Sequence, residues 1–236
     1  MQQLIFVNRY FYPDHSATSQ MLTDLAFDLA RNGKAVRVIT SRQAYDHAQA
    51  DLPVTENING VQIMRVWTTR FGRGNLLGRA IDYLTFYTSA AWRLWLSTSR
   101  ADIVIAKTDP PMISIVAAII VRLRGARLIN WIQDLFPEVA VALGVKSIVA
   151  LSPLLVRVRN YSLRVAHSNV VLGDRMAGRL HAYGIPQQHT QVIHNWSDGR
   201  DITPVGHDQN RLRHEWGLDG KFVIGYSGNM GRAHDF

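Results

Sequence analysis

The chain has 236 residues, 47% hydrophobic and 19% charged, enough apolar material for a buried core and too much for wholesale disorder. It contains no cysteine, which excludes disulfides, thiolate nucleophiles and cysteine metal sites. The net charge of +8 favours anionic partners, whether nucleic acid, acidic lipid or phosphorylated substrates. The cations, all but four of them arginine, form no continuous block, which disfavours nucleic acid. The first seven residues lack the basic start and apolar length of a signal peptide. The longest apolar stretch, residues 112–121, falls far short of the ~20 residues of a membrane-spanning helix. A soluble, cytoplasmic-type protein is expected.

Residues 4–7 read as a strand and 8–15 as a loop. Ser16 is a candidate helix N-cap, after which Leu22, Leu25, Ala26 and Leu29 recur at helical spacing until Asn32-Gly33 stops the helix. Residues 36–40 form the next strand, completing a β-α-β unit that opens a parallel sheet. Residues 41–75 read as irregular, broken by a strand over 61–67 after the turn Asn59-Gly60. Gly72, Gly74 and Gly78 mark a mobile loop. A long helix is predicted over 76–97, with one stripe through Leu77, Ile81, Leu84, Thr88, Ala91 and Trp95 and another through Tyr83, Tyr87, Ala90 and Leu94. Together they make an apolar face too broad for a simple surface helix.

The alternation then resumes: strand 103–106, helix 111–122, strand 127–132, helix 153–165, strand 169–172, helix 174–183 and strand 191–194. The near-continuous apolar character of these strands predicts an α/β fold, a Rossmann-like parallel sheet with helices on both faces. The first domain is expected over 1–196. A polar linker follows at 197–210, and residues 211–236 read as the first helix and strand (222–226) of a second, truncated domain.

In an open parallel sheet, ligands bind beyond the carboxyl ends of the strands. That rule selects the loop after the first strand, with Tyr12, Asp14, His15, Ser16 and Thr18, whose hydroxyls and backbone N–H groups suit a phosphate or a sugar. Ser16 equally suits a plain helix cap. No G-x-G-x-x-G or P-loop follows that strand, which disfavours a nicotinamide dehydrogenase. Gly228, Asn229, Gly231 and Arg232 form the nearest thing to a phosphate cradle. Asp134 and Glu138 stand four apart just past a strand, so one could act as general base toward a substrate hydroxyl. The alternative is that Asp134 caps a helix and Glu138 complements its dipole. Asp109, before Pro110-Pro111, ends another strand at the same edge. The histidines show no metal-ligand spacing, and no metal or cofactor is expected. The aromatic helix, Arg70, Arg73 and Arg79, and the helix bearing Arg157, Arg159 and Arg164 fit an anionic membrane surface as well as ordinary packing.

The order of motifs resembles glycosyltransferase family 4, in particular its bacterial exopolysaccharide and O-antigen transferases. The resemblance runs through Phe11-Tyr12-Pro13, Asp82-Tyr83-Leu84-Thr85-Phe86, Thr108-Asp109-Pro110-Pro111, Gln133-Asp134-Leu135-Phe136-Pro137-Glu138 and Val192-Ile193-His194-Asn195-Trp196 to Tyr226-Ser227-Gly228-Asn229-Met230-Gly231. It implies a retaining transferase of two Rossmann-like domains (type B). The first would bind an undecaprenyl-linked saccharide acceptor, and the second a nucleotide-sugar donor, at the inner face of the cytoplasmic membrane. Tyr12, Asp14, His15, Ser16, Thr18, Asp109, Gln133 and Asn195 would then contact substrate, Asp134 and Glu138 would serve catalysis, and Gly228, Asn229, Gly231 and Arg232 the donor phosphates. The resemblance is incomplete in two places: His15-Ser16-Ala17-Thr18 lacks the Gly-Gly pair common in the first loop, and Gln133 stands where histidine is frequent. With the family's further donor-site residues falling past residue 236, the chain is expected to be inactive alone. The competing expectation is a non-catalytic module that binds anions or a membrane surface.

Overall fold

The computed structural model describes residues 2–45, 50–72, 76–197, 199 and 203–226. The chain divides into two compact units, Met1–His194 and Asn195–Phe236. The described residues of the first unit form strands β1 (Gln3–Val7), β2 (Ala35–Ser41), β3 (Thr55–Ile58), β4 (Val61–Val66), β5 (Ile103–Lys107), β6 (Arg127–Trp131), β7 (Ser168–Val171) and β8 (Thr190–Val192). They build one sheet in the order β3-β4-β2-β1-β5-β6-β7-β8, parallel except for β3. Its helices are α1 (Ala17–Arg31), α2 (Leu76–Ser97), α3 (Ile113–Arg124), α4 (Glu138–Ala142), α5 (Lys146–Val165) and α6 (Asp174–Ala182).

Alternation along β1 explains why helices cover both faces. Ile5 and Val7 point into a core closed by Phe86, Ala90 and Leu94 of α2, by Ala117 and Val121 of α3, and by Val165 of α5. Phe6 points the other way, into a core closed by Leu22 and Ala26 of α1. A third core, around Ile132, Val171 and Leu180, seats α6. The strand order reverses between β1 and β5. Val7 lies beside Ile39 on one side and Ala106 on the other, so the chain leaves β1 and β5 side by side and opens a crevice at their carboxyl ends.

Four expectations change. Residues 55–58, read as irregular, form β3, which hairpins onto β4 through Asn59 (φ 50°) and Gly60 (φ 81°). Both sit in the left-handed region that a two-residue hairpin turn requires. The helix expected from Pro153 starts earlier, at Lys146, and carries Pro153 inside it. Residues 138–142, just past the loop 132–137, form the short helix α4. In the second unit, residues 211–215 form α7 (Arg211–Glu215), capped by the Asn210 side chain accepting from Arg213 N at 3.2 Å. Residues 222–226, expected as a strand, have no regular structure, and Phe222 and Ile224 are exposed at 93% and 89%. A strand needs a neighbouring strand for its N–H and C=O groups, and residues 222–226 belong to no ladder of the sheet among the described residues. No helix of the described residues is long and apolar enough to cross a membrane.

Candidate functional site

The loop between β1 and α1 is fixed from below by buried charges. Asp14, itself buried, accepts the backbone N–H of Ser16 at 2.8 Å and its hydroxyl at 2.5 Å, and takes a third bond from Tyr45 N. Ser16 does occupy the N-cap position of α1, but its hydroxyl donates to Asp14 instead of accepting from the helix. Asp14 is therefore a staple that joins this loop to the one after β2. Arg65, buried on β4, donates to Tyr12 O at 2.8 Å and pairs with Glu56; burial lowers its pKa to about 10. Tyr12 itself is exposed, its ring 5.6 Å from that of Phe27, and His15 is exposed beside it.

At the crevice, Arg9 and Lys107 are both buried. Arg9 N donates to Asp109 O at 2.7 Å, linking the loops after β1 and β5, while its guanidinium bonds Gln43 at 3.2 Å and lies 3.6 Å from Asp82. Asp82, fully buried on α2, accepts Thr69 Oγ1 (2.7 Å), Phe71 N (3.1 Å) and Gly72 N (3.0 Å), so it sets the loop after β4. Lys107 Nζ donates to Thr18 O at 2.8 Å and sits 3.8 Å from the centre of the Trp131 ring. Burial depresses its pKa to about 7 against a smaller opposing pull from Asp109. Gln133 N donates to Thr108 Oγ1 at 3.3 Å, drawing the loop after β6 to the loop after β5. Tyr12, Asp14, His15, Ser16, Asp109 and Gln133 thus lie in loops at the carboxyl edge of the sheet, with Thr18 in the first turn of α1 beside them. Of Arg9, Asp82 and Lys107, which hold those loops, only Asp82 stands in a motif of the sequence resemblance, and that motif carried no role for it.

Beside them, a cavity of about 640 Å³ opens between α4, α5 and α6. Asp134 and Glu138 line it together with Val139, Met176, Arg175 and Arg179. The two carboxylates differ in what they can do. Glu138 is held by Arg159, at 2.8 and 3.3 Å to its two oxygens, and by the Tyr183 hydroxyl at 2.6 Å. Burial pushes its pKa up, but the bonds from Tyr183 and Arg159 outweigh that and leave it below the usual value. No ion pair to Asp134 exists among the described residues, and desolvation by burial raises its pKa above the usual carboxylate value. Nor does Asp134 cap α4, since Pro137 occupies that position. Arg159, expected at a basic surface, is buried under Glu138 and stacks on Tyr183 at 4.7 Å. Arg175 and Arg179, one turn apart on α6 and exposed, supply the cavity's open cations. A second cavity, of about 490 Å³, is lined by Arg42, Asp51, Trp67 and Arg70, and its charges are mutually paired.

Asn195 is exposed and belongs to the second unit. Gly228, Asn229, Gly231 and Arg232 lie outside the described residues, as do Arg73 and Gly74.

The sheet order, the covering helices and the crevice at β1 and β5 match the Rossmann-like half of the type B (two-domain) fold. Residues 17–196 match the Glycosyl transferase 4-like domain, and the chain belongs to that family. No curated protein matches it. Among solved structures it is similar to Anabaena Alr3699/HepE in complex with UDP and glucose, at 17% identity and TM-score 0.59, over 98% of this chain and 54% of that one. It is also similar to sucrose-phosphate synthase (tll1590) from Thermosynechococcus elongatus, at 12% identity and TM-score 0.60, over 93% and 53%. A third likeness is to Alr3699/HepE in complex with UDP-glucose, at 16% identity and TM-score 0.54, over 93% and 51%. The chain therefore spans about half the length of these three structures.

Proposed function

We propose that this chain is the acceptor-binding half of a retaining glycosyltransferase that moves a sugar from a nucleotide diphosphate to a lipid-linked saccharide. The observation that carries the reading is the cavity at Asp134, in a family of glycosyltransferase 4-like domains, opening at the carboxyl edge of the sheet. The acceptor hydroxyl sits at Asp134, whose raised pKa suits a proton acceptor. As the acceptor oxygen bonds to the anomeric carbon, the bond from that carbon to the diphosphate breaks and the diphosphate departs with its charge. Arg175 and Arg179 attract the anionic portion of the acceptor. Glu138 holds Arg159 and the cavity wall and takes no proton. The segment from Gly228 to Arg232 meets the donor phosphates, as the family resemblance implies. The similarity of Alr3699/HepE, solved with UDP and with UDP-glucose, supports a nucleotide-sugar donor. No metal enters the chemistry. The acceptor is undecaprenyl-linked and serves a bacterial exopolysaccharide or O-antigen, made at the inner face of the cytoplasmic membrane.

The test is transfer from a panel of labelled nucleotide sugars to bacterial lipid extract, by this chain and by one extended to the length of its structural relatives. We expect activity only in the longer protein, and an Asp134→Asn variant of it to lose about a hundredfold in kcat with little change in melting temperature. Silence in both lengths, with lipid binding retained, would replace the transferase by a binding module.

A further inference from the structure

Helix α2 wears its charges on the wrong side for a helix that faces water. A solvated helix turns polar residues outward and apolar ones inward. In α2, Asp82 is fully buried, Arg93 is half-buried and donates to Met64 Sδ at 3.1 Å, and Arg79 is half-buried. The opposite face carries no charge along 22 residues. It presents Leu77, Leu84 and Trp92 at 74%, 61% and 66% exposure, with Thr88 and Trp95 between and beyond them. Helix α3 packs alongside and adds exposed Ile119 and Leu123. An exposed apolar surface of this extent marks a contact with something other than water.

The charges around it identify the occupant. Arg124 stacks over Trp95 at 5.0 Å and is anchored by a bond to Thr98 O at 2.8 Å. Arg100, Arg122 and Arg127, at the ends of the same elements, are exposed. Between residues 83 and 133 the only carboxylates are Asp102 and Asp109. Asp102 is buried and bonded to Gln3 N and Ser99 N, so it does not offset the arginines at the surface. A second copy of the chain docked symmetrically here would set arginine against arginine. Tryptophan beside arginine at the border of an apolar strip suits a lipid interface, where ring and cation meet the headgroups.

We propose that the outward face of α2, extended by Ile119 and Leu123 of α3, seats the protein on an anionic bilayer. By its length the helix runs about 33 Å. Lying flat, it brings its first turn, next to the loop after β4, and with it the carboxyl edge of the sheet, down to the lipid. A lipid-borne acceptor would then reach the crevice without leaving the membrane. The proposal rests on the transferase reading for that purpose, not for the contact itself.

Sedimentation of the 236-residue chain with phosphatidylcholine vesicles, with and without phosphatidylglycerol, tests it directly. We expect binding to the phosphatidylglycerol vesicles, relief by salt, and a blue shift of tryptophan emission. The double change Leu84→Gln and Trp92→Gln should weaken partitioning by about tenfold or more. Arg122→Gln should weaken it by about fivefold on the anionic vesicles alone. All three side chains are exposed, so the circular dichroism melts should match the parent chain. Absence of binding, or equal binding to both vesicle types, would overturn the proposal. So would a dimer in solution that Trp92→Gln dissolves, which would assign the face to a second copy. No sugar transfer is measured, so this result and that of the transfer assay stand or fall separately.

Discussion

Lys107 and Glu138 show how two desolvated groups make stability rise with pH in separate windows, one by a desolvation penalty that is relieved and the other by a favourable charge that forms. Lys107 has a folded pKa near 7, against 10.5 when unfolded, so the unfolded chain holds the extra proton between those values. Stability should therefore rise with pH across that window, each unit of depression corresponding to about 1.4 kcal/mol. Lys107→Met removes the titration. Urea midpoints of parent and variant should differ most at pH 6, in the variant's favour, and converge toward pH 10. A constant difference across the range would mean the ammonium is not desolvated. Glu138 has the same sign in the acid range: its folded pKa is depressed, so its contribution is full above the unfolded value of about 4.5 and is lost as pH falls. Glu138→Gln leaves the Arg159 guanidinium buried without its carboxylate and should cost about 3 kcal/mol at pH 7. The gap to the parent should close as pH falls through the folded value. Neither role could be read from the sequence. The pair Asp134 and Glu138 was visible as two carboxylates at helical spacing, but the residue that neutralises Glu138 lies on α5, 21 positions away. Lys107 sits in an apolar strand, and the carbonyl it bonds, Thr18 O, lies 89 positions away.

At the scale of elements, the loops of the crevice depend on buried groups contributed by other elements. Asp82 receives three bonds from residues 69–72 and faces Arg9, so α2 determines the loop that precedes it. Asp82→Ala should cost about 3–5 kcal/mol, because it strands both Arg9 and those donors. Trypsin should then cut at Arg70 well before the core opens, and cleavage at the parent's rate would refute the account. The elements that were legible in the sequence are those whose signal is local. Helix α1 announces its stop with Asn32-Gly33, and β1, β2, β5 and β6 are short apolar runs. Strand β3 was missed because its Thr55-Glu56-Asn57 face is polar, as suits the edge of a sheet. Its one signal was Asn59-Gly60, a hairpin turn with a strand on only one side in the sequence reading. Helix α5 was started too late because proline usually opens a helix; here it lies inside one whose packing against α3 and α4 overrides the local preference. The two stripes of α2 were both seen, but which faced inward was decided by the sheet.

For the whole molecule, the sequence placed a domain boundary by a change in composition, and the cores show how much of the chain the first unit needs. Every residue of the three hydrophobic cores lies between Leu4 and Ile185, and all eight strands end by Val192. The second unit adds a five-residue helix, and its large apolar side chains Trp216, Phe222 and Ile224 are exposed. A helix of that length is marginal without tertiary packing. Stability scales with apolar area removed from water, so the first unit should carry nearly all of it. A chain ending at His194 should melt cooperatively within about 3 °C of the full 236 residues, a shift that corresponds to less than about 1 kcal/mol for a unit of this size. Limited proteolysis of the full chain should yield the same fragment, since Pro204, Val205 and their neighbours are exposed and lack regular structure. A shortened chain that melts many degrees lower would mean the segment after His194 contributes burial to the first unit. In that event the fold of the first unit would depend on residues past the last of its core side chains, Ile185, and past its last strand.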